Sequence, residues 1–160
     1  MTATNDIGRY FQPVIGQKPW RARRGVGSFL TFDFGPEVRD ETSVFGTWHL
    51  WIYQCEWRLE SRGRVVVHSE SNQHAIQIAV KKLEAMPLTD VSFDPVTAET
   101  RFRFGHVELI CFPYSDSDFE RDLSDTEFWL FYIPDHQVVW VGRDRKISVG
   151  SATAPVQAPA

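Results

Sequence analysis

A chain of 160 residues that is 42 % hydrophobic and 14 % aromatic can bury one ordinary core but hardly two, so a single domain is expected. Charged residues make up 24 % and the formal net charge is -4, which argues against a disordered polyelectrolyte and against a general polyanion-binding surface. No basic start followed by an apolar run opens the chain, and no stretch approaches the roughly 20 apolar residues that span a bilayer, so a cytoplasmic protein with no membrane partner is expected.

After a polar start, residues 17–24 read as a short extended segment, and Gly25-Val26-Gly27-Ser28 as the turn into a strand over 29–35. Leu30, Phe32 and Phe34 share one face of that strand; Phe29, Thr31 and Asp33 share the other. Pro36 to Thr42 is polar and breaks the pattern. The stretch from Gly46 to Glu60, GTWHLWIYQCEWRLE, then alternates along its whole length. His49, Trp51, Tyr53, Cys55, Trp57 and Leu59 fall on one face and Trp48, Leu50, Ile52, Gln54, Glu56 and Arg58 on the other, apolar on both faces at first and polar on one later. This reads as one central strand running out to a rim. Ser61-Arg62-Gly63 turns it into a partner carrying Val65, Val66 and Val67.

From Ser71 the period changes to three and four residues, through Ile76, Ala79, Val80, Leu83 and Met86, which predicts a helix of about four turns. Ser71 or Ser69 would cap it, and Pro87 would stop it at Met86. A three-stranded meander follows over 89–93, 99–104 and 107–112, and after an acidic loop two strands over 127–133 and 138–141 close the sheet. The expected fold is α+β, a mainly antiparallel sheet of about nine short strands packed with one central helix. Residues 1–150 form the domain, and 151–160, without an aromatic or a charged side chain, form a disordered tail.

Chemical motifs are sparse. Gly25-Val26-Gly27-Ser28 joins two strands, so it offers no helix N-terminus to a phosphate. Cys55 and His49 are six residues apart, about 20 Å along an extended strand, and cannot act as nucleophile and base. Cys55 and Cys111 each lie in an apolar pattern and read as reduced, buried thiols. His68, Glu70 and His74 could meet at a strand-to-helix corner, but no HxxxH or CxxC spacing supports them, and neither a metal nor a cofactor is expected. Trp20 with Arg21, Arg23 and Arg24 is a thin basic cluster that reads as a protected edge strand, so nucleic acid is not expected as a partner.

The segment from Tyr114 to Glu127 carries six carboxylates against Arg121 alone, about five net negative charges. Its alternating acids lack the glycine and the flanking helices of an EF-hand. The functional expectation is therefore a non-enzymatic module that binds another protein through this loop, with Asp116, Asp118, Glu120 and Asp122 steering a basic surface and Phe119 as an anchor. The alternative is a small-ligand or metal-dependent enzyme whose pocket lies where the aromatic strand meets the helix start, with Trp48, His49, His68, Glu70 and His74.

In its motif order, GSFLTFDFG, then GTWHLWIYQCEWRLE, then HSES before the helix, followed by FRFGHVELICFPY and EFWLFYIPDHQVVWVG, the chain resembles a group of small bacterial proteins that carry no assigned activity. The resemblance implies a bacterial cytosolic α+β domain, similar in size and strand content to immunity proteins that neutralise toxins. It brings no catalytic residue to carry over.

Overall fold

The computed structural model describes residues 6–114 and 126–152. Within them the chain is α+β and antiparallel, but it builds two packed sheets instead of one, with eleven strands instead of nine. In chain order these are β1 (Arg21–Arg24), β2 (Leu30–Arg39), β3 (Val44–Ile52), β4 (Glu56–Ser61), β5 (Arg64–His68), β6 (Leu88–Phe93), β7 (Thr100–Phe104), β8 (Val107–Phe112), β9 (Glu127–Ile133), β10 (Gln137–Gly142) and β11 (Ile147–Ser151). One sheet has the order β1-β2-β3-β9-β10-β11 and the other β5-β4-β8-β7-β6.

The largest departure from the sequence reading concerns the aromatic stretch. Its alternation continues from 46 to 60, yet the chain leaves β3 at Ile52 and enters β4 at Glu56, so the two halves belong to different sheets. Tyr53 and Gln54 still donate their N–H groups to Phe128 and Glu127 O of β9, at 2.9 and 3.1 Å, before the chain crosses. Both halves are central strands. Leu50 and Ile52 of β3 and Trp57 and Leu59 of β4 therefore enter one core from opposite layers.

Indole N–H groups fasten those layers. Trp57 Nε1 donates to Ser28 O at 2.7 Å and Trp129 Nε1 to Thr100 Oγ1 at 2.9 Å, each bond running from one sheet to the other or to its turn. Buried indole N–H groups usually find such a partner.

The helices sit at the margins. A short helix, α1 (Ile7–Phe11), which the polar start concealed, packs beside β6 and inserts Phe11 into the core, stacked on Phe131 at 4.1 Å. The predicted helix is α2 (Gln73–Lys81), continued by a 3-10 turn over Lys82–Ala85, and it buries Ile76, Ala79, Val80 and Leu83 as the periodicity requires. Its cap is Asn72, whose side chain accepts from the N–H groups of His74 and Ala75, in place of Ser69 or Ser71. It is not central. It lies against β1 and β5, and its face supplies acceptors to the open edge of β1: Gln77 Oε1 takes the Arg24 N–H and Glu84 Oε2 the Ala22 N–H, both at 3.0 Å. A sheet edge is thus covered by side chains instead of a twelfth strand.

β2 also runs further than its polar composition suggested. A bulge at Gly35-Pro36 sets two residues against Thr47, after which Glu37, Val38 and Arg39 pair with Gly46, Phe45 and Val44. Gly35 has φ +76, and a Cβ there would meet the Trp48 ring at 2.7 Å. At the far edge β11 pairs with β10 as far as Ser151, so the regular sheet reaches the first residue assigned to the tail.

Candidate functional site

The outer faces of the two sheets differ in chemistry. On the five-stranded sheet, Arg101 pairs with Glu99 and Glu108 at 2.9 and 3.1 Å and Arg103 with Glu108 at 3.2 Å, a solvated charge ladder. On the six-stranded sheet the outer face is aromatic, with Trp51, Leu130, Tyr132 and Val138 forming a second apolar cluster joined by Phe29, Tyr53 and Trp140. The alternation of β2 and β3 produces it: Leu30, Phe32, Leu50 and Ile52 point inward, so Thr31, Asp33, His49 and Trp51 point out.

Antiparallel register aligns Arg21, Asp33, His49 and Tyr132 as a row across β1, β2, β3 and β9. Asp33 is fully buried, and its carboxylate accepts three hydrogen bonds. Oδ1 takes the Gly46 N–H at 2.8 Å and lies 2.7 Å from His49 Nδ1, and Oδ2 takes Arg21 Nε at 2.7 Å. Arg21 spends a second nitrogen on Val44 O at 2.6 Å. Burial alone would raise the Asp33 carboxyl; the hydrogen bond and charge of His49 and the bonds from Gly46 and Arg21 outweigh it and hold the group below the ordinary aspartate value. Because a carboxylate only accepts, His49 carries its proton on Nδ1, and Nε2 is left as the free end of the ring.

That free end has no partner among the described residues. His49 is 5 % exposed, yet its Nε2 makes no hydrogen bond, and the same holds for Thr31 Oγ1 and Trp51 Nε1 on the same face. His49 therefore has an orienting acid but, among the described residues, no nucleophile at its free end. The bulge accompanies this geometry: Gly35 and Pro36 are set against Thr47, and its neighbour in β3, Gly46, gives its N–H to the Asp33 carboxylate. A Cβ at Gly46 would lie 2.5 Å from Phe34 O, so only glycine fits.

Beside this row opens a cavity of about 490 Å³, between the β2–β3 turn and the β9–β10 turn. Val38, Phe45, Tyr132, Ile133 and Pro134 give it apolar walls, and Asp40, Asp135 and His136 stand on its rim. Two lining residues are also members of the buried network's surroundings. Gly46 donates to Asp33, and the Tyr132 ring lies 6.0 Å from the His49 ring.

The residues singled out from sequence are dispersed. Trp48 points inward, half-buried against the core and the Gly35 bulge, so it is a packing residue and not a pocket wall. His49 belongs to the outer face just described. His68 ends β5 in the other sheet, where its Nδ1 accepts the Glu70 N–H at 3.1 Å within a turn. His74 lies in the first turn of α2, on a wide, open depression of about 610 Å³ with Arg24, Asn72 and Gln77. The aromatic strand and the helix start thus border two separate concavities. Although the second is larger, its Asn72 and Gln77 acceptors are already bonded, to the helix start and to the edge of β1. Among the described residues no three or more His, Cys, Asp or Glu side chains converge as a metal site.

Asp116, Asp118, Phe119, Glu120 and Asp122 lie outside the described residues. The basic cluster at 20–24 is the edge strand β1, and Arg21 turns inward to Asp33 instead of facing a phosphate. No described helix is long and apolar enough to cross a membrane. The residues that sequence reasoning missed are Arg21 and Asp33 as partners of His49, and Phe45, Asp40, Asp135 and His136 around the cavity. The first pair was legible in principle, since Asp33 is the one charge inside the pattern SFLTFDFG. Compared with protein-family models, with curated proteins and with solved structures, the chain matches none.

Proposed function

We propose that this protein is a non-enzymatic binding module whose small ligand is seated in the cavity between the β2–β3 and β9–β10 turns. One observation carries the reading: a cavity of about 490 Å³ with apolar walls and a polar rim borders the one buried charged network of the described residues, through Gly46 and Tyr132. That volume is within the range of sites that hold metabolite-sized ligands, and few convergent polar groups in an apolar wall are their usual form. Binding is favoured over catalysis because Asp33 is neutralised by Arg21 and, among the described residues, His49 meets no nucleophile at Nε2. The network's role is to hold the bulge, and with it Phe45, Gly46 and Thr47, in one conformation.

A small-molecule library screened by thermal shift on the native protein and on Phe45→Ala and Gln137→Trp tests this. Hits on the native protein should be lost in both variants, which respectively remove and fill the cavity wall. Hits retained with unchanged affinity in both would move the site elsewhere.

A second reading makes the ligand a basic partner protein, bound in the manner of an immunity protein through Asp116, Asp118, Phe119, Glu120 and Asp122. It is supported by the charge between Tyr114 and Glu127, which exceeds that of the whole chain. Neutralising the four acids together should weaken partner capture and flatten its salt dependence, and unchanged capture would remove this reading.

A further inference from the structure

We propose that the ligand of this cavity is a small organic cation, an amine or quaternary ammonium on an apolar body. The inference rests on the reading of the cavity as a binding site and adds the chemical class. Two aromatic rings, Phe45 on β3 and Tyr132 on the neighbouring β9, line the space, and aromatic faces attract a cation through the negative potential above the ring. Two carboxylates, Asp40 in the β2–β3 turn and Asp135 in the β9–β10 turn, stand on the rim from separate hairpins. No lysine or arginine is among the described lining residues, and His136 is the remaining ionisable side chain among them besides the tyrosine.

Both carboxylates have oxygens to offer. All four donors of the Asp40 turn, the N–H and hydroxyl groups of Thr42 and Ser43, converge on Oδ1, and Oδ2 takes none among the described residues. Asp135 makes no side-chain hydrogen bond or ion pair among the described residues, and its φ of +67 is set by the turn. An anionic ligand would meet two like charges and no lysine or arginine among the described residues of this space. A metal ion lacks a converging ligand set among the described residues. An apolar body carrying one positive charge satisfies walls and rim together.

The test uses the intact protein, titrated by calorimetry at neutral pH with choline, phenethylamine and agmatine, and with uncharged analogues of the same shape, such as 3,3-dimethylbutan-1-ol for choline. At least one cation should bind about tenfold or more tighter than its neutral analogue, the advantage expected of a cation over aromatic faces with carboxylates nearby. Asp40→Asn with Asp135→Asn should abolish that preference. Asparagine keeps an acceptor at Asp40 and tolerates the left-handed conformation at 135, so the variant should fold. Equal affinity for cations and neutral analogues, with both lost in Phe45→Ala, overturns the charge selectivity and leaves the cavity reading intact. Cations bound just as tightly by Phe45→Ala and by the double variant would place their site elsewhere and overturn the proposal. No binding by any cation overturns it too, and a library without hits at the cavity would then sink the binding-site reading as well.

Discussion

Asp33 and His49 face each other across β2 and β3, with Oδ1 of the carboxylate 2.7 Å from Nδ1 of the imidazole and shared with the Gly46 N–H. This pairing joins three strands through Arg21 and fixes the bulge that shapes the neighbouring cavity. Removing one member of a buried charged network leaves the others without a partner, which costs about 3–5 kcal/mol. Asp33→Ala should fall near that range in urea unfolding. His49→Ala, which leaves Asp33 its bonds to Arg21 and Gly46, should cost less, about 1–3 kcal/mol. Equal and small losses for both would mean that the network does not hold the fold.

Acid should expose the same group. The folded-state pKa of Asp33 is lowered, so its contribution is complete above the unfolded aspartate value of about 3.9 and is lost as the pH falls through the lower folded value. The stability difference between the native protein and Asp33→Asn should therefore be constant from about pH 8 to about pH 5 and shrink below about pH 4. A difference that grows on acidification would have the wrong sign for a depressed carboxyl.

Two glycines should respond in opposite directions. In Gly46→Ala the new methyl meets backbone, Phe34 O at 2.5 Å and Phe34 N at 2.7 Å, so the bulge must shift and the bond to Asp33 with it. A loss of about 1–3 kcal/mol is expected, as for overpacked sites. Gly8 in α1 has open space around it, and Gly8→Ala should gain about 0.4–1 kcal/mol by restricting the unfolded chain. Thermal denaturation of the two variants separates the effects.

Cys55 and Cys111 are each about 1 % exposed, and both thiols are free. Burial and the neighbouring Cys55 push the Cys111 thiol well above its ordinary range, so the reactive thiolate is suppressed. Iodoacetamide at neutral pH should label neither cysteine in the folded protein and both in denaturant, read by mass spectrometry. Rapid labelling of the native protein would contradict this burial.

Period-two patterning was enough to place most strands and to set Leu30, Phe32 and Phe34 together on one face, because one face of each strand enters the core. It could not reveal that 46–60 is two strands. The face that enters the core switches from Leu50 and Ile52 in β3 to Trp57 and Leu59 in β4, and the switch is masked because Trp51 and Tyr53 on the outer face of the first half are apolar too. The five residues of α1 are too few for a helical period, and Phe11 gives no local sign of its long-range stacking on Phe131. His49 was visible as a candidate, whereas its partners Arg21 and Asp33 lie on other strands and meet it only through register. The cavity lies between two hairpin turns distant in sequence, so Asp40, Phe45, Asp135 and His136 shared no local motif.

The most direct measurement is a fragment screen followed by ¹H–¹⁵N NMR on the labelled protein. If the cavity is the binding site, shift changes should concentrate at Phe45, Thr47, Tyr132 and His136, with smaller changes at Gly46, whose N–H meets Asp33. Changes confined to Arg24, Asn72 and His74 at the start of α2, or no changes with any fragment, would contradict it.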